Sequence, residues 1–223
     1  LEAARDAGIL ASSEEAAQRI NSAPPEGHVA PTRVFIITCD RPAAVERLLE
    51  SMLAACTLTH HDRLFLIDDS RDSGNALRNQ QLVAKFNCDS AKAMHYVGAS
   101  AASQLLAQLL SALPEQEQGL RFLLDRQRWA GQPTYGLSRN LALLLSVGYR
   151  ALVLDDYIVC PAVRPPVPQA GIAFCNSEAR EAWFYASTQE LLERSTWCDF
   201  DPLAKQAEVL GRPLAAVLAQ LQQ

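Results

Sequence analysis

The sequence predicts an α/β fold, an open and mostly parallel sheet with flanking helices. Three observations predict it. Short apolar runs rich in β-branched and aromatic residues alternate with segments whose apolar residues recur at helical spacing, the β-α-β-α-β order that builds a parallel sheet through right-handed crossovers. Polar groups follow these runs: Cys39, Asp40 and Arg41 after the first, Asp68 and Asp69 after the second, Asp155 and Asp156 after the last. In an open α/β sheet such carboxyl ends face the ligand crevice. Finally, 223 residues with 49% hydrophobic content supply an ample core for one domain.

Residues 1–32 read as an N-terminal helical appendage and linker. Ser12 and Glu15 stand at capping-box spacing ahead of Ala16, Ala17 and Ile20, and Pro24, Pro25, Gly27 and Pro31 mark the linker. Residues 33–223 form the domain proper, with a helical C-terminal part. Its first strand is 33–38, RVFIIT. Pro42 suits the first turn of the next helix, whose stripe is Val45, Leu48, Leu49 and Met52. His60 and His61 fall in a polar link, where a solvated or packed histidine is expected. The second strand, 63–67, runs into Asp68, Asp69, Ser70, Arg71, Asp72, Ser73 and Gly74, and a helix through Leu82, Val83 and Phe86 leads to a third strand at 93–97.

Helices at 101–113 and 116–128, broken by Pro114, carry Leu105, Leu106, Leu109 and Leu110, then Leu120, Leu123 and Leu124, to pack on the sheet. Residues 130–136, with two glycines and a proline, are a flexible lead-in placed to cover a ligand. Leu137, Leu141, Leu144 and Leu145 recur at helical spacing, Gly148 ends that helix, and 151–154 make a short buried strand. Beyond Pro161 come a Pro-rich connector at 164–168, a strand at 171–174, a helix at 178–194 carrying Trp183, Phe184, Leu191 and Leu192, and a turn at 197–202. A helical segment at 203–221, interrupted at Gly211 and Pro213, completes the chain.

Composition excludes several classes. Net charge is −5 and the 20 Lys plus Arg are dispersed, so the basic stripe of a nucleic-acid binder is missing. No run of about 18 apolar residues is present to span a membrane. The N-terminus lacks the basic start and long apolar core of a signal peptide, so a cytoplasmic setting is expected, and its opening Leu suggests part of a longer chain. The six cysteines are far apart, without zinc spacing, and read as buried thiols of a reducing compartment.

Two acids at a strand end, Asp155 and Asp156, suit a cation or a hydroxylated ligand. Arg139 lies in the first turn of its helix, where the macrodipole disfavours a cation unless an anion such as a diphosphate stands in front. Taken singly, each has a plain alternative in a solvated turn or a surface arginine.

Together these residues resemble a known family. G-L-S-R-N followed by V-G-Y-R-A-L-V-L-D-D is similar to the segment of GT-A-fold glycosyltransferases, family 2 and its relatives, that includes the Asp-x-Asp metal motif, with Asp155 standing 16 positions after Arg139. I-I-T-C-D-R-P resembles the first strand and T-x-N-R-P loop of that family, with Asp40 where Asn is common. L-I-D-D-S-R-D-S-G resembles its V-V-D-D-G-S-x-D. The resemblance covers residues 33–160.

It implies a nucleotide-binding, Rossmann-like GT-A architecture and a glycosyltransferase. Sugar would pass from a nucleotide-diphosphate sugar to an acceptor hydroxyl on a glycan, lipid or protein, assisted by Mg²⁺ or Mn²⁺. Thr38, Asp40, Arg41, Asp68, Asp69, Arg139 and Asn140 would bind the donor, with Thr38, Asp40, Arg41 and Asp69 at the nucleoside and Arg139 at the diphosphate. Asp155 and Asp156 would hold the metal. For the base, Asp199 and Asp201 are the candidates, the other reading being a solvated acid and an N-cap.

The chain departs from the pattern at Tyr157, where the family usually has Asp. A degenerate binding or scaffolding module of the same fold is therefore the alternative. A sugar-nucleotide nucleotidyltransferase shares the sheet type, but CDRPAAVE lacks its Gly-rich phosphate loop.

Overall fold

The computed structural model describes residues 29–132, 134, 136–164, 184–213 and 216–217, together with Ser12, Glu14, Glu15 and Gln18. Strand β1, Thr32–Thr38, is the most apolar and sits inside the sheet, with Val34, Phe35 and Ile36 fully buried. It pairs in parallel with β2, His61–Asp68, on one side and with β4, Arg150–Asp155, on the other. Strand β3, Met94–Val97, lies outside β2, and the order β3-β2-β1-β4 is parallel throughout.

The helices form because their apolar stripes match the two faces of this sheet. Pro42 opens α1, Pro42–Ala55, which buries Val45, Leu48, Leu49 and Met52. Asp72 caps α2, Ser73–Asp89, by accepting the Asn75 N–H at 2.8 Å. Both helices pack on the side of Val34, Ile36, Leu64 and Leu66. The opposite face, Phe35, Phe65 and Ile67, is covered by Leu106 of α3 (Ala99–Ala112), Leu124 of α4 (Glu117–Leu124), and Leu141 and Ala142 of α5 (Leu137–Leu145). Phe35 and Phe65 stack there with centroids 5.0 Å apart. Each such buried side chain contributes about 1.5–3 kcal/mol, and period-2 alternation along the strands sends neighbours to opposite cores.

Several expectations need correction. β4 is an edge strand rather than a buried one, and Val153 is 40% exposed. His61 begins β2 and is 2% exposed, not part of a polar link, because it pairs in register with Thr32. The helix expected at 116–128 stops at Leu124, where Asp125 caps a 3₁₀ turn, Arg126–Trp129. The turn expected at 197–202 overlaps β6, Thr196–Cys198, which pairs antiparallel with β5, Ala162–Arg164. Of the helix expected at 178–194, the described part is α6, Thr188–Arg194, capped by Ser187 and preceded by irregular chain from Phe184. Trp183 and the strand expected at 171–174 lie outside the described residues.

Helix α7, Pro202–Val209, follows, and Gly211 breaks it at φ 73°, a left-handed conformation that glycine adopts freely. The reciprocal Ser12 and Glu15 bonds expected of a capping box are present, at 2.6 and 3.2 Å. Among the described residues no helix is long and apolar enough to cross a membrane.

Candidate functional site: a crevice at the carboxyl ends of β1 and β4

The chain builds β1, β2 and β3 outward in one direction, then returns to place β4 on the far side of β1. Strand order thus reverses between β1 and β4. In open α/β sheets that switch point leaves a crevice beyond the carboxyl ends, because the flanking loops diverge there. A cavity of about 600 Å³ occupies it, walled by Thr38 to Arg41, Asp69, Arg71, Thr134, Arg139 and Asp155 to Tyr157.

The loop after β4 divides its two acids. Asp156 turns inward and is 3% exposed. Its Oδ2 accepts from Thr38 Oγ1 at 2.8 Å, and its Oδ1 meets Arg41 Nη1 at 2.9 Å. Both oxygens therefore tie β4 to the end of β1. Asp155 faces the crevice instead, with Arg139 Nη2 at 3.4 Å from Oδ1 and the Tyr157 hydroxyl donating to Oδ2 at 3.2 Å. Arg139, in the first turn of α5, is half exposed. The Arg41 guanidinium also lies over the Tyr157 ring, 5.9 Å from its centroid.

The loops after β1 and β2 are locked together by Asp40. It adopts a left-handed φ of 54°, which aspartate tolerates better than most residues. Its N–H donates to Ser70 Oγ at 2.9 Å, and its carboxylate accepts the Asp72 N–H at 3.0 Å, the Arg71 N–H at 3.1 Å and Asn75 Nδ2 at 3.3 Å. The Asp72 amide, with those of Arg71 and Asn75, holds the Asp40 carboxyl below the usual carboxylate range.

Asp68 is likewise inward, accepting from Ser70 N, Asn79 Nδ2 and Tyr96 Oη at 2.8, 3.0 and 2.8 Å. Burial and that aspartate push the Tyr96 phenol up. Asp69 reaches the crevice wall, bonded to Thr134 Oγ1 and paired with Arg126 Nε at 3.1 Å. A second cavity of about 610 Å³ adjoins at Asp69, Arg71 and Thr134, with Ile67, Val97, Leu106 and Leu141 as apolar wall.

No family model, no curated protein and no solved structure matches this chain. The site therefore rests on its own geometry. Thr38, Asp40, Arg41, Asp69, Arg139, Asp155 and Asp156 share the crevice wall. Asp68 and Asn140 do not: Asp68 lies in the network beneath, and Asn140 Nδ2 donates to Leu123 O at 2.9 Å, toward α4.

Asp201 is placed elsewhere altogether. It caps α7, accepting from Leu203 N and Ala204 N at 3.0 and 2.9 Å, while its Oδ2 takes the Thr57 N–H and hydroxyl at 2.7 and 3.0 Å. Thr57 follows the C-terminus of α1, so this is the amino edge of the sheet, opposite the crevice. Asp199 is exposed two residues before it.

Sequence reasoning passed over Arg71, Arg126 and Thr134. Arg71 donates to Gln132 O at 2.8 Å, and Arg126 Nη2 donates to Asp69 O and Ser70 O at 3.1 and 2.9 Å. The one signal in the sequence was that Arg71 stands inside the acidic loop after β2.

Among the described residues no group of three or more His, Cys, Asp or Glu side chains could hold a metal ion. Both Asp156 oxygens are engaged, by Thr38 and Arg41, and Asp155 is the acid of the pair that faces the crevice. A divalent ion would draw on Asp155 and on oxygens brought by a ligand.

Proposed function

We propose that this domain is a GT-A-type glycosyltransferase that binds a nucleotide-diphosphate sugar in the β1/β4 crevice. The observation that carries the reading is the convergence of Arg139, Arg41 and Asp155 on one cavity at the switch point. Arg139 in the first turn of α5 and Arg41 at the end of β1 would neutralise the diphosphate, and Asp69 would accept from the nucleoside beside the apolar second cavity. Mg²⁺ or Mn²⁺ bound by Asp155 and donor oxygens would add charge stabilisation to the departing diphosphate. Asp156 has a different task here, holding Arg41 and the end of β1 in position. Asp201 is a cap in this reading, and the acceptor, a glycan, lipid or protein hydroxyl, would enter past Tyr157.

A second reading, a binding or scaffolding module without transfer, is favoured by one observation: Asp155 meets the Tyr157 phenol where a further carboxylate would complete a metal site. One experiment separates the two. Titration with UDP-, GDP- and dTDP-sugars, with and without Mn²⁺, should find a binder, and incubation with it should release free nucleoside diphosphate. Binding without release across a broad acceptor panel selects the module, and no binding to any donor overturns the transferase.

A further inference from the structure

The two cavities meet along one threshold. Asp69, Arg71, Gly131, Thr134 and Ser138 border both of them. Asp69 and Thr134 are bonded to each other, and Arg126 balances the Asp69 charge at 3.1 Å. Arg71 and Ser138 keep bonding capacity to spare. Arg41, Arg126 and Arg139 each face a carboxylate, whereas among the described residues the exposed Arg71 guanidinium meets a neutral carbonyl, Gln132 O at 2.8 Å, and no carboxylate. Ser138 is the stronger sign. It is 4% exposed, yet among the described residues its hydroxyl has no hydrogen-bond partner. That oxygen is not sealed in the core as the Thr32 hydroxyl is, and the residue opens on both cavities. A buried hydroxyl left unpaired costs free energy that a ligand's acceptor recovers.

The helix that carries Ser138 adds to this. α5 begins after Gly136 with no side-chain cap, its Leu137 and Asn140 N–H groups donating to Thr134 O and Gly136 O. A Cβ at Gly136 would meet no atom within 4 Å, so the space before this helix end is open. Such ends carry partial positive charge and favour anions. Beyond the threshold the second cavity continues for about 610 Å³ over Ile67, Val97, Leu106 and Leu141, a size and lining that suit the body of a small molecule.

We propose that this threshold is a phosphate-binding site, at which Ser138 and Arg71 hold the phosphate of an ester whose aromatic or aliphatic body lies in the second cavity. Ser138 Oγ donates to one phosphate oxygen, Arg71 donates to another and supplies the charge, and the first turn of α5 presents its positive end to the group. A phosphate has oxygens enough for all three at once. Asp69 does not oppose the anion, because Arg126 and Thr134 already engage its carboxylate. The site goes beyond the transferase reading: any phosphate ester of that shape satisfies it, and a nucleoside diphosphate is one such ligand.

The test is calorimetry on the full chain without metal, using naphthyl phosphate, naphthol, inorganic phosphate and UDP as probes. Naphthyl phosphate should bind more tightly than naphthol or inorganic phosphate. Arg71→Met should weaken it about tenfold and Ser138→Ala about fivefold, with naphthol unchanged in both and Arg71→Lys restoring part of the loss. Gly136→Asp places a carboxylate at the uncapped helix end and should abolish naphthyl phosphate binding. Naphthyl phosphate binding no more tightly than naphthol, or equally in the wild type and both variants, overturns the site. If Ser138→Ala does not fold, Gly136→Asp decides, since it meets no packed neighbour: binding lost supports the site, and binding retained overturns it. UDP binding with naphthyl phosphate silent overturns this site and leaves the transferase standing, whereas naphthyl phosphate binding with every nucleotide silent does the reverse.

Discussion

At the scale of single residues, two neighbouring carboxylates have been given different work by where their side chains point. Asp156→Ala should cost stability, because it leaves the buried Thr38 hydroxyl without its acceptor and releases Arg41; a loss of about 1–3 kcal/mol is expected. Arg139→Ala should do the reverse. Its half-exposed pair with Asp155 is worth about 0–1 kcal/mol, whereas a charged hydrogen bond to a diphosphate is worth about 1.5–3 kcal/mol. Urea unfolding and calorimetry with the best-binding nucleotide measure the two quantities, and a stability loss without a binding loss at Arg139 would remove it from the site.

His61 sets a pH dependence. Burial holds its pKa below the ordinary value, so the folded ring stays neutral while the unfolded chain takes up a proton below about pH 6.5. The native state is therefore disfavoured as pH falls through about 6.5 toward the folded pKa, and the effect is absent above it. Because both ring nitrogens lack a hydrogen-bond partner, His61→Leu should lose less stability than wild type between about pH 7.5 and about pH 5.5, as urea midpoints would show. Equal losses in both proteins would mean that other groups set the acid response.

At the scale of elements, α7 is fastened at its start by one carboxylate serving two backbones. Asp201→Ala removes the cap and both Thr57 bonds and should cost about 1–2 kcal/mol. Asp201→Asn should fall between, since an amide oxygen still caps α7 while its nitrogen cannot accept from Thr57. Amide exchange at Leu203 and Thr57 would report the loss at each. Nucleotide affinity should stay at the wild-type value in both variants, and a large drop would tie Asp201 to the crevice. The WCDFDP stretch shows why sequence alone left this open: Asp before Pro at a helix start and a catalytic acid on a loop look alike until the partner at Thr57, 144 residues away, is known.

At the scale of the molecule, the crevice joins loops from β1, β2 and β4 and the first turn of α5, so a ligand there should stabilise the whole fold. A donor with Mn²⁺ at about 100 times its dissociation constant should add about 2.7 kcal/mol, visible as a higher melting temperature. Mn²⁺ alone should add less, because Asp155 is the acid of the pair left facing the crevice. A melt unchanged by any nucleotide sugar, with calorimetry equally silent, would leave the fold without the proposed chemistry.

The sequence by itself determined the β1-α1-β2-α2-β3 run, the α5–β4 unit and the strand ends at which polar residues gather. Those features follow from local periodicity, from Pro42 at a helix start and from apolar runs long enough to need burial on both faces. Tertiary structure alone decided that β4 lies beside β1 at an open edge, that Asp156 turns into the core while Asp155 faces the crevice, and that Arg126 braces Asp69. It also decided that β5 and β6 pair. Three-residue strands carry too little alternation to read, and the direction of a carboxylate just past a strand depends on partners such as Thr38, 118 residues distant, that no local pattern names.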